Sequence, residues 1–111
     1  MHYWSRTIRN GPRLVKMLDC WQRRHPGQLL GLIHGHNHAD RVSQDRSWPI
    51  VSIGCAKMED CKEKKPQTFV TQDRKPGTVT QELWDVIRIP YDSGRVEFYR
   101  FGAGEDQVVG Q

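Results

Sequence analysis

Long apolar runs are missing from this chain. No stretch approaches the ~18 consecutive apolar residues of a membrane-spanning helix, and the N-terminus lacks the apolar core of a secretory signal. Cysteine is sparse: Cys20, Cys55 and Cys61 are odd in number and form no CxxC pair, which argues against a disulfide framework or a cysteine-rich zinc knuckle. Reduced thiols in a cytoplasmic protein are the expectation. A single-sign basic tract is absent too. The formal charge is +4, but Lys and Arg are interspersed with Asp and Glu, and the densest run, "KEKK" at 62–65, contains Glu63 and is closed by Pro66. A solvated surface is expected there rather than a nucleic-acid-binding face, which would cluster its cations.

What is present is enough for one small domain. The 111 residues are 36% hydrophobic and 27% charged, and they include four Trp, three Tyr and three Phe. Aromatic and β-branched residues recur as far as Phe101, so the body of the chain is expected to fold. "NGPRLVKMLDCWQRR", 10–24, predicts a helix. Asn10 stands at the cap, Pro12 falls in the first turn, and Leu14, Leu18 and Trp21 share one face. "HPG" should end it. "QLLGLI" and "PIVSIG" (49–54) read as short strands buried on both faces, joined by a polar loop, "ADRVSQDRSW". Residues 55–78 are expected to be mostly loop. "ELWDVIRIPYDSGRVEFYRF" reads as a hairpin turning at "DSG", with Val86, Ile87, Ile89, Val96, Phe98 and Phe101 available to pair. Trp4, Trp21 and Trp84 are assigned to core or interface, and residues 104–111 to a tail.

The chemistry-bearing stretch is "GLIHGHNHAD", 31–40, where His34, His36 and His38 alternate just after an apolar strand. In extended backbone, residues two apart point the same way about 6.5–7 Å apart, too far for two imidazoles to share one ion unless the chain turns. Gly35 is the expected site of that turn. On an irregular loop, His36 and His38 can each reach a different member of a metal pair spaced about 3.5–4 Å. Asp40 is a candidate hydrogen-bond acceptor for one of these histidines, fixing its tautomer.

"GHNH" at 35–38 resembles the closing GHxH motif of the calcineurin-like metallophosphoesterases. "PIVSIGCAK" resembles the strand that follows it there, and "PGTVTQELWDVIRI" and "RFGAGED" resemble a bacterial branch of the family. The resemblance implies an α/β (α+β) fold, the C-terminal half of a β-sandwich flanked by helices, with residues 1–103 forming a partial domain. It implies His36 and His38 as ligands to two different divalent ions, Mn, Fe, Zn or Ni. It also implies a further ligand ahead of the helix. His2 occupies that place, with His25 as its rival, and His34 is expected to stand behind the ligands. The implied activity is hydrolysis of phosphate esters by metal-activated hydroxide.

The family's DxH, GDxxD and GNHD motifs are absent from the 111 residues. An incomplete centre is therefore expected, together with either a homo-oligomer or a separate N-terminal half as partner, and with the second sheet of the sandwich missing. Two other readings compete. "HGHNHAD" fits the letters of the histidine triad nucleotide hydrolases, although Gly35 and Asn37 stand where that family has hydrophobic residues. The third is a non-catalytic, self-associating fragment.

Overall fold

A computed structural model describes residues 9–36, 38–56, 70–71 and 73–110. Helix α1 spans Gly11–Arg24 with Pro12 in its first turn, and it stops where the His25 backbone N–H donates to the Trp21 carbonyl and Gly27 takes φ 76°. Two basic residues, Arg23 and Arg24, occupy its last turn, where they oppose the negative end of the helix dipole. The expected helix is therefore present nearly residue for residue. No residue of α1 is buried, however, and Leu14, Met17 and Trp21 remain substantially exposed.

Six short strands follow. Leu32–His34 (β1), Arg41–Ser43 (β2) and Ile50–Ser52 (β3) form one sheet in the order β1-β3-β2, with β1 parallel and β2 antiparallel to the central β3. Leu83–Arg88 (β4), Arg95–Gly102 (β5) and Gln107–Gly110 (β6) form a second, antiparallel sheet in chain order. Among the described residues the architecture is mixed α+β, one helix and two three-stranded sheets. Among the described residues, no helix is long and apolar enough to cross a membrane.

Alternation along the strands decides how these layers stack. Val96, Phe98 and Val109 point from the second sheet into a core shared with Val51 of β3, and Leu30, Val42 and Ile53 pack around that cluster. Leu32 and Ile50, one position out of phase with Val51, face α1 instead. The order of layers is helix, sheet, sheet. The helix is held to its sheet mainly by polar contacts. Asp19 accepts from Trp48 Nε1 at 2.8 Å and from Arg46 at 2.6 Å, and the Gln22 amide oxygen accepts from the Leu29 N–H at 3.2 Å.

Several expectations need correction. The second sheet is not missing, and residues 107–110 are not a tail: β6 pairs with β5 from Arg95↔Gly110 to Phe98↔Gln107 and buries Val109. The polar loop between the first two strands contains β2, whose Val42 faces Val51. β1 is not buried on both faces, since it lies at the edge of its sheet and leaves Ile33 exposed. Trp48 is a core residue, 1% exposed, whereas Trp21 and Trp84 are partly exposed and do not fill the core. Trp4 and residues 57–69 of the long connection lie outside the described residues. Where that connection resumes, Arg74 gathers the carbonyls of Cys55, Ala56, Thr80 and Gln81, fastening the exit of β3 to the 3₁₀ turn Val79–Gln81 that leads into β4.

Candidate functional site

The histidine stretch leaves β1 at its C-terminal end, beside the central strand. The Ile53 N–H donates to the His34 carbonyl at 3.1 Å, so the start of the loop is fixed to the segment just after β3. Its far end is fixed twice. The buried Ser52 hydroxyl donates to the Ala39 carbonyl at 2.7 Å, and Asp40 is held by side chains from two other parts of the chain. Between these anchors the backbone reverses. His36 takes φ 82° and His38 takes φ 54°.

The left-handed turns thus fall on the histidines themselves and not on Gly35, which is absent from the positive-φ residues. Histidine visits this region more readily than most side chains, but each such residue still costs of order 1–3 kcal/mol unless its surroundings enforce it. Here the fixed ends at His34, Ala39 and Asp40 supply that enforcement.

The three imidazoles do not share one environment. His34 is half-buried, with Nδ1 3.2 Å from the Gly35 carbonyl, and it lines a cleft of about 500 Å³ between α1 and the first sheet. His36 is exposed and lines the same cleft. His38 is half-buried where the loop returns toward Ala39 and is not among the cleft-lining residues. His25, the rival to His2, is exposed at the far end of α1, 4.5 Å from the Trp21 ring centroid. His2 lies outside the described residues.

Asp40 binds Arg100 and Thr71. Arg100 takes both of its oxygens in a bidentate pair, at 2.8 and 3.0 Å, and the Thr71 hydroxyl adds a third contact at 3.2 Å. The same guanidinium binds Asp85, directly opposite on β4, at 2.7 and 3.2 Å. The Arg100 and Asp85 side chains are 3% and 2% exposed, so this is an interior ion cluster. Asp40 holds the Arg100 guanidinium well above its ordinary value, against the opposing effect of burial and with Asp85 adding to it. Sequence reading missed the cluster because its members lie far apart in the chain. The signal available was an Arg and an Asp at facing positions of the predicted hairpin, each among apolar neighbours.

A divalent metal pair needs carboxylate as well as imidazole donors. Among the described residues, no group of three or more His, Cys, Asp or Glu converges. Among the described residues the one acid lining the cleft, Asp19, already binds Arg46 and Trp48. No family model, curated protein or solved structure matches the chain.

Proposed function

We propose that this chain supplies the imidazole side of a dinuclear metal centre that hydrolyses phosphate esters, in the manner of the calcineurin-like metallophosphoesterases. His36 and His38 each serve a different ion of a Mn, Fe, Zn or Ni pair, and His2 is a further ligand. The observation that most supports this reading is the loop itself. Two histidines in left-handed backbone, on a strand tip anchored at both ends, form a preset arrangement. Such ions supply an activated hydroxide and neutralise phosphoryl charge. The chain's own residues orient the imidazoles and present Lys16, Arg23 and Arg46 around the adjoining cleft, where an anionic ester is attracted.

The bridging carboxylate and the Asn ligand are not in the 111 residues. The partner we propose is therefore a segment bearing the DxH, GDxxD and GNHD motifs. A cytoplasmic location is part of the same proposal, consistent with the reduced thiol of Cys20. Equilibrium dialysis against Mn²⁺, paired with a p-nitrophenyl phosphate assay, tests the reading. Expected are weak ion uptake that His36→Ala and His38→Ala each reduce, and near-background turnover by the chain alone. Ion uptake unchanged in both variants contradicts it.

A second reading, self-association without catalysis, has its own supporting observation. The face of the second sheet turned away from the core carries Trp84, Val86, Tyr99, Phe101 and Val108, all substantially exposed, with Trp84 stacked on Phe101 at 4.9 Å. A contiguous apolar face of this kind marks an interaction surface.

A further inference from the structure

The cleft between α1 and the first sheet has a composition that specifies more than an anion. Its strand side is apolar: Leu32 and Ile50 are half-buried there, and Leu14 of α1 stands opposite. Its exposed lining residues include three cations, Lys16, Arg23 and Arg46, with His36 beside them. The acid among its described lining residues, Asp19, has both carboxylate oxygens taken by Arg46 and Trp48, so it offers an incoming anion little repulsion.

At about 500 Å³ the space suits a small molecule. Leu32 and Ile50 lie half-buried on the sheet side, while Leu14 and the cations Lys16 and Arg23 stand exposed on the helix side. From this we infer that the cleft binds a phosphate monoester carrying a single alkyl chain, its chain against Leu14, Leu32 and Ile50 and its phosphate among Lys16, Arg23 and His36. The choice of phosphate as the head group rests on the proposed phosphoesterase reading; the amphiphilic character rests on the cleft alone.

The test is isothermal titration of the full chain with dodecyl phosphate below its micellar concentration, in the presence of chelator. Inorganic phosphate and dodecyl maltoside are the comparators. Saturable binding at one molecule per chain is expected, about tenfold or more tighter than either comparator, because the two parts contribute together. Leu14→Asp and Lys16→Glu, both at exposed positions of α1, should each weaken it about tenfold while leaving Mn²⁺ uptake intact. Dodecyl phosphate binding no tighter than inorganic phosphate or dodecyl maltoside, or unaltered by both substitutions, overturns the inference. Ion uptake is read separately. If dodecyl phosphate binds but Mn²⁺ uptake does not depend on His36, the metal reading falls and the cleft stands; the reverse pattern removes the cleft and spares the metal.

Discussion

Arg100 is the residue on which the two sheets most depend for their electrostatics. It sits on β5 between a carboxylate of the facing strand, Asp85, and one from the loop that follows the histidines, Asp40. Replacing the cluster by apolar groups would be tolerable in principle, but removing only the cation leaves two buried acids with nothing to offset their desolvation. Arg100→Met should therefore cost about 3–5 kcal/mol in urea unfolding, and adding Asp85→Asn should recover part of the loss. Recovery is the informative result, because a pure packing defect would not respond to it. Glu97 gives a second prediction at this scale. The Tyr99 hydroxyl, donating at 2.8 Å, holds this carboxyl below the usual carboxylate range; Arg88 and Arg95 act the same way, and burial acts against them. The unfolded chain then takes up the proton at higher pH than the folded one. The stabilisation is present above the unfolded carboxyl's pKa and is lost as the pH falls through the lower folded value. Glu97→Gln should flatten the acid limb of a stability-against-pH curve over that window.

Among the elements, α1 is the least securely seated, with no buried residue and its main attachment running through Asp19. Asp19→Ala strips the partner from Trp48 Nε1, inside a side chain that is almost fully buried, and should cost about 1–3 kcal/mol by chemical denaturation. The loss of helical ellipticity should precede the loss of tryptophan burial. How far each element was legible in the sequence follows from how local its determinants are. α1 announces itself through Pro12, one apolar face and the "HPG" stop, all within the segment. The β4–β5 hairpin does so through alternating residues and the Asp92 and Gly94 turn, both at positive φ. β2 and β6 do not, because three or four residues such as "RVS" and "QVVG" become strands only when β3 and β5 offer them an edge. The histidine loop was visible as a pattern, yet its turn was placed at Gly35, since glycine is the residue that takes left-handed backbone without strain. The actual reversal at His36 and His38 depends on Ser52, Arg100 and Thr71, which no local reading connects to it.

For the whole molecule, the arrangement is asymmetric. One outer layer is a helix standing off its sheet over a cleft, and the other is a bare sheet face centred on the Trp84–Phe101 stack. Under the proposal that copies associate through this face, light scattering at micromolar concentration should give more than a monomer mass, and Val86→Lys combined with Phe101→Glu should return the monomer with the fold intact. A monodisperse monomer in the unsubstituted protein contradicts that part of the account. The central claim is narrower: the imidazoles of His36 and His38 hold divalent ions. Its most direct measurement is a Zn²⁺ titration followed through the histidine ring nitrogens by NMR, with His36→Ala and His38→Ala used to assign the signals. The account predicts that the His36 and His38 resonances shift together and saturate while that of His25 stays still. Rings at 36 and 38 that ignore the ion, or a response shared equally by His25, would contradict it.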